Sequence, residues 1–195
     1  MRFREHGSTD KAAIHSTMAD DRSFERITRV DLKRLARIAR IEREDFFGRH
    51  KEYAILYRKR VLCTALCEDA ALHYINGQTG VSTFDVFTFY AEHPEASFPH
   101  WHEDRYDFGR SKFGRLKSAS ETFKGRPVNL AGRSIDASPT DHPIEALQYF
   151  LRRTSNPVPR RLAEKAVVLI EPEPFSGYLA WPTLVPARPA PIGSS

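Results

Sequence analysis

The spacing of apolar residues changes along the chain, and these changes predict helices and strands. Between Thr28 and Gly48, apolar residues recur every three or four positions with arginines and lysines between them, which predicts an amphipathic helix. Thr28 and Asp31 precede this repeat in the form of a capping box. Shorter helices are predicted at 53–57, 70–75, 143–153 and 159–165. Strands are predicted at 61–66, 81–90, within 123–135 and at 166–170, with a loop over 93–106.

The order of these elements predicts an α+β (mixed α/β) fold with an N-terminal helix and a C-terminal strand. The chain has 195 residues, 41% of them hydrophobic, which suits one domain with a substantial core. Residues 1–26 are polar and lack a period, and residues 183–195 are rich in proline and small side chains. We therefore expect a flexible segment at 1–26, a folded domain at 27–182 and a disordered tail at 183–195.

Charge and apolar content limit the partners of the chain only loosely. The net charge of +5 permits a polyanionic partner without requiring one. A basic helix face is more often solvated than bound to nucleic acid, and both interpretations stay open for the first helix. Cys63 and Cys67 are expected to be buried, reduced thiols. No segment has the apolar length of a signal peptide or a membrane span, so we expect a cytoplasmic protein without membrane contact.

Asp85 is the strongest candidate for chemistry, because it lies within the apolar run of residues 81–90. An acid in an apolar strand is costly unless it is paired, protonated or bound to a cation. One interpretation is therefore a binding or catalytic site. The other is a structural carboxylate that is paired with an arginine or with backbone N–H groups.

Residues 60–91 resemble the start of a nucleotidyltransferase (polymerase-beta-like) domain, and the resemblance extends over the central half of the chain. It implies a mixed sheet flanked by helices. Members of this superfamily hold two divalent cations between two alternating acids on one strand and a third acid on a neighbouring strand. The resemblance implies that Asp85 is a catalytic and metal-binding acid, with Thr83 and Asn129 at the positions of the other two acids. It implies Mg²⁺ or Mn²⁺ as cofactor, bound weakly at most because two of these three ligands are uncharged.

The same resemblance implies a nucleotide-binding turn at Asp69 and Ala70, directly after the strand predicted at 61–66. The superfamily usually has Gly-Gly or Gly-Ser here, which lets backbone N–H groups approach a triphosphate. Asp69 occupies the glycine-like place, and its size and negative charge weaken phosphate binding.

A second candidate for phosphate binding lies in the glycine-flanked segment 107–115. Ser111, Lys112 and Arg115 would supply a hydroxyl and two positive charges in a flexible loop. The spacing differs from that of a P-loop. A hairpin turn with exposed bases explains the segment equally well.

Two functions are consistent with these residues. The first is a nucleotidyltransferase-like protein of weak or absent activity, with a nucleoside triphosphate as ligand and an unknown acceptor. The alternative is a non-catalytic module on the same scaffold, which binds nucleic acid or a partner protein through its basic helix and the loop 110–115.

Overall fold

The protein has an α+β fold, with a six-stranded mixed sheet between helices. The computed structural model describes residues 21–99, 102–119, 121–153 and 157–182. The predicted tail at 183–195 and the first 20 residues of the predicted flexible segment lie outside these ranges. Among the described residues, no helix combines the length and the apolar content that crossing a membrane requires.

Helices and strands follow one another in nearly the order that the apolar pattern predicts. The helices are α1 (Arg29–Arg49), α2 (Lys51–Tyr57), α3 (Glu68–Asn76), α4 (Pro143–Leu151) and α5 (Pro157–Ala163). The strands are β1 (Val61–Cys67), β2 (Phe84–Ala91), β3 (Glu103–Asp107), β4 (Pro127–Ile135), β5 (Val167–Glu171) and β6 (Leu179–Trp181). The strand order is β3-β4-β2-β1-β5-β6; β2 and β4 run parallel, and every other neighbouring pair is antiparallel.

Helix α1 begins at the predicted capping box. The backbone N–H and the hydroxyl of Thr28 both donate hydrogen bonds to Asp31 Oδ2, at 2.7 Å each. The helix ends at Arg49, one residue after the predicted stop at Gly48. Its apolar stripe is buried against one face of the sheet, in a core that also contains Phe84 of β2.

The alternation of side chains along β2 assigns its residues to two different cores. Phe84 and Val86 lie under α1. Phe89 lies on the opposite face, in a second core. Strands β1 and β5 contribute side chains to this core, and α4 and α5 cover it. Asp85 lies four residues before Phe89, so its side chain is on the same, second face of the sheet. It is near the first residue of β2, beyond the edge of that core.

Two strands are absent from the sequence prediction. All of strand β3 except its last residue, Asp107, lies in the segment predicted to be a loop over 93–106. Its sequence EDRYD has no apolar alternation because it is a charged edge strand. Strand β6 has three residues, which is too short for a periodic signal. In addition, β2 begins at Phe84 rather than Val81, because Val81 instead forms an isolated bridge with Ser23.

Residues upstream of the predicted boundary at Ile27 contact the folded body. Ser23 exchanges two backbone hydrogen bonds with Val81, at 2.9 and 2.8 Å. Asp21 lies beside the buried guanidinium of Arg126, with Asp21 Oδ1 at 3.9 Å from Arg126 Nη1. Residues 21–26 therefore contact the domain, although their polar sequence predicts a flexible segment.

Candidate functional site

Asp85 lies on the central strand β2, directly opposite Asn129 in the register with β4. The Asn129 amide donates a hydrogen bond to Asp85 Oδ1 at 2.9 Å, and the Thr83 hydroxyl donates to Asp85 Oδ2 at 3.3 Å. The structure thus brings Thr83, Asp85 and Asn129 together, as the resemblance implies. Their catalytic and metal-binding roles stay predictions.

Arg105 completes this group from the neighbouring edge strand. It lies opposite Asn129 in the β3–β4 register, and its Nε donates a hydrogen bond to Asn129 Oδ1 at 3.0 Å. A chain of hydrogen bonds thus runs from Arg105 through Asn129 to Asp85. The sequence interpretation misses Arg105, because the segment that carries it has no strand pattern and is predicted to be a loop.

These side chains line an open cleft of about 520 Å³ on the sheet face opposite α1. Small-molecule sites usually have about 300–1,000 Å³. Phe87 contributes a half-buried ring, and Arg105 and Arg161 contribute positive charge. The acidic residues Glu103 and Asp104 also line the cleft. The cleft exists because α4 and α5 cover only the other part of this face.

Burial raises the pKa of Asp85 above its ordinary value. The hydrogen bond from Asn129 opposes this shift, the nearby carboxylate of Glu68 adds to it, and the Thr83 hydroxyl and Arg161 oppose it. The net direction is upward because neutral donors compensate a buried negative charge less well than a cation does.

Glu68 begins α3 and has a left-handed backbone, with φ of 57°. It is the one non-glycine residue in the described part of the chain with positive φ, a conformation that suits glycine. Its side chain is buried and ion-paired: Arg161 Nε lies at 2.8 Å from Glu68 Oε1, and Lys165 Nζ at 3.2 Å from Oε2. The backbone conformation that suits glycine is thus found at Glu68, directly before the predicted Asp69.

Asp69 and Ala70 have little opportunity to bind phosphate at the start of α3. Asp69 forms ion pairs with Lys165 at 2.9 Å and with Arg22 at 3.6 Å. Ala70 is fully buried in the core under α1. Two carboxylates, from Glu68 and Asp69, occupy the helix N-terminus, so a phosphate group there would meet like charge.

The segment predicted to be a flexible phosphate-binding loop is tied down by Asp107. The carboxylate of Asp107 accepts backbone hydrogen bonds from Gly109, Lys124 and Gly125 at 2.8–2.9 Å. Although burial works to raise the pKa of Asp107, these N–H groups outweigh it and hold the pKa below its usual range. A Cβ at Gly125 would lie 2.0 Å from the carbonyl oxygen of Gly109, so the two backbone segments also touch.

Ser111, Lys112 and Arg115 are not brought together with Asp85. Lys112 forms an ion pair with Asp31 at the start of α1, with Nζ to Oδ2 at 2.8 Å. Arg115 donates to the carbonyl of Ala119 at 3.3 Å, and the hydroxyl of Ser111 is buried. Because the adjoining Phe113 belongs to the core under α1, this loop lies on the face of the sheet opposite the cleft.

The residues of the cleft do not fit a two-metal centre. Asp85 is the one acid of the Thr83, Asp85 and Asn129 group, and Mg²⁺ or Mn²⁺ prefers several anionic oxygens. The oxygen of Asn129 already accepts a hydrogen bond from the cation Arg105. Within the described ranges, no three His, Cys, Asp or Glu side chains are grouped to hold a metal ion.

Comparison of the chain with protein-family models, curated protein sequences and solved structures finds no match.

Proposed function

We propose that this chain is a nucleotidyltransferase-like protein with impaired two-metal chemistry, whose cleft binds a nucleoside triphosphate through arginine side chains. The observation that carries the proposal is the register of Asp85 and Asn129 on the parallel strands β2 and β4, with Thr83 beside them. Acids at these three positions would form the metal site of the superfamily that residues 60–91 resemble.

The impairment follows from the charges in the cleft. Asp85 is the one carboxylate at the three superfamily positions, and Glu103, which also lines the cleft, is paired with Arg133 at 3.3 Å. The negative charge left over is too small to offset the dehydration of two divalent cations. Arg105 brings a positive charge to the oxygen of Asn129, where the superfamily has a metal ligand. Nucleotide binding would therefore use the guanidinium groups of Arg105 and Arg161 for the phosphates, with the ring of Phe87 available to stack on the base.

The test is the melting temperature of the full chain with each nucleoside triphosphate, in EDTA and in Mn²⁺. Ligands that bind the native state raise the melting temperature, by the equivalent of about 2.7 kcal/mol at 100 times Kd. We expect a similar rise with and without Mn²⁺. Arg105→Ala should reduce it, whereas Arg152→Ala, at an exposed position on the end of α4, should not.

The variant Thr83→Asp with Asn129→Asp provides the complementary arm of this experiment. It returns two carboxylates to positions within hydrogen-bond distance of Asp85. In EDTA we expect a lower melting temperature than the parent has, because three acids repel one another. In Mn²⁺ we expect a larger metal-induced rise than in the parent. Adding Arg105→Ala should enlarge this Mn²⁺-induced rise further, because the guanidinium that competes with the metal is removed.

Two results would contradict the proposal. If no nucleoside triphosphate stabilises the parent under either condition, the cleft is not a nucleotide site. If the parent transfers nucleotide strongly with Mn²⁺ and Asp85→Ala abolishes the transfer, its two-metal chemistry is not impaired.

A further inference from the structure

Within the first three turns of α1, the exposed face of the helix carries basic side chains and no acidic ones of its own. Arg29, Lys33 and Arg37 recur every fourth residue, so they form one row with steps of about 6 Å along the helix. The single acid within residues 29–40 is Asp31, which is 9% exposed. Two further exposed bases flank the row: Arg34 and Arg40.

The loop 109–117 extends this basic face sideways. Arg34 Nη1 donates a hydrogen bond to the carbonyl oxygen of Arg110 at 3.2 Å. A Cβ at Gly109 would lie 2.6 Å from Arg34 Nη2, so helix and loop are in direct contact. Arg110 and Lys117 are exposed on the loop. We call the row on α1 and this loop together the basic surface.

The acids packed against the basic surface already have partners: Asp107 accepts three backbone hydrogen bonds, and three others form ion pairs. The pairs are Asp31 with Lys112 at 2.8 Å, Glu173 with Lys33 at 3.2 Å, and Glu171 with Arg43 at 3.3 Å and with Arg40. Arg29, Arg37 and Arg110, in contrast, have no carboxylate at ion-pair distance in the part of the chain that the structure describes. Three guanidinium groups are therefore available to an anionic partner.

We propose that the basic surface docks the phosphate backbone of a nucleic-acid duplex. A duplex carries one negative charge per about 1.7 Å of its axis and matches a row of cations without sequence-specific contacts. Proteins that hold single strands add exposed aromatic rings on which bases stack. Here the rings nearest the loop, Phe108 and Phe113, are buried, so the surface offers charge without a stacking platform. This inference is independent of the nucleotide cleft, which lies on the other face of the sheet.

The experiment measures binding of the full chain to a labelled mixed-sequence DNA duplex of about 20 base pairs, from about 50 to 200 mM salt. We expect log Kobs to fall linearly with log salt. The test variant is Arg29→Gln with Arg37→Gln and Arg110→Gln. We expect it to bind at least about tenfold more weakly near 100 mM salt. The salt slope should become shallower by about 0.9 for each phosphate that the variant no longer neutralises.

The matched control removes the same charge elsewhere, with Lys59→Gln, Arg152→Gln and Arg160→Gln at three exposed positions outside the basic surface. It should bind within about twofold of the parent, because its bases lie outside the contact. All six substituted side chains are exposed, so both variants should fold, and their melting temperatures verify this. Arg105→Ala should leave duplex binding unchanged, which separates this surface from the nucleotide cleft.

Any of four results would overturn the inference. The parent could fail to bind the duplex at the lowest salt, or the control could lose as much affinity as the test variant. A single strand of the same sequence could bind more tightly than the duplex. Polyglutamate could bind as tightly as the duplex, which would indicate an acidic protein partner instead.

Discussion

Asp85 is a carboxyl group in an apolar strand whose nearest partners are neutral donors. Because burial raises its pKa, the folded protein holds a proton at this position more tightly than the unfolded chain does. The stability that this proton contributes is present below the unfolded pKa of about 3.9 and is lost as the pH rises through the folded pKa. At higher pH, the fold therefore contains an ionised group that disfavours it.

Replacing Asp85 by an amide tests whether its ionised carboxylate destabilises the fold. Asp85→Asn keeps the shape of the side chain and an oxygen for the hydrogen bond from Asn129, while it removes the buried charge. We expect a larger free energy of unfolding than in the parent near pH 7, and a difference that shrinks toward about pH 4. Urea unfolding over a pH series measures the free energy of unfolding of the parent and of the variant. The raised pKa would be refuted by a difference that does not depend on pH.

At the level of elements, a buried ion-pair group joins α1 to β5. The carboxylate of Glu171 binds Arg40, lies 3.3 Å from Arg43, and accepts a hydrogen bond from the Thr64 hydroxyl at 2.7 Å. Although burial works to raise the pKa of Glu171, these partners outweigh it and hold the pKa below its ordinary value. The stability from this group is therefore present above the unfolded pKa and is lost as the pH falls through the folded pKa.

Glu171→Gln should destabilise the protein by about 3 kcal/mol near neutral pH, because the largely buried Arg43 then lacks its charged partner. The side chain of Arg43 is 13% exposed. The matched control is Glu173→Gln, which breaks the exposed pair with Lys33 and should cost no more than about 1 kcal/mol. Chemical unfolding of both variants measures the difference. Equal losses would show that Glu171 contributes no more than a surface ion pair.

For the molecule as a whole, the sheet separates two regions that the sequence suggests could act together. The cleft around Asp85 and Arg105 opens on the face that α4 and α5 partly cover. Lys112 and its loop lie with α1 on the other face. A ligand held by Lys112 would thus lie on the face of the sheet opposite Asp85.

The stability of the whole domain should depend on residues 21–26, which precede the boundary that the sequence predicts. A chain that begins at Ile27 loses Asp21, whose backbone oxygen and carboxylate lie at the buried guanidinium of Arg126, and the bridge between Ser23 and Val81. We expect it to be less stable than a chain that begins at Asp21, by about 2 kcal/mol, because buried donors lose their acceptor. Thermal and urea unfolding compare the two shortened chains. Equal stability would place the boundary at Ile27, as the sequence pattern predicts.

Local patterns in the sequence are enough to predict the elements whose signals span a few residues. The capping box of Thr28 and Asp31, the apolar repeat of α1 and the apolar strands β1, β2 and β5 depend on residues a few positions apart. The sequence also predicts the pairing of Asn129 with Asp85, but through the resemblance of the chain to a superfamily and not through periodicity.

The surroundings of the candidate site, in contrast, depend on tertiary contacts. Arg105 reaches Asn129 because a charged edge strand, which has no apolar alternation, pairs with β4. Glu68 has a left-handed backbone, and its buried carboxylate is neutralised by Arg161 and Lys165, which lie far along the chain. Such contacts join residues distant in sequence, so their positions depend on how the whole sheet and its helices pack. No local pattern encodes that packing.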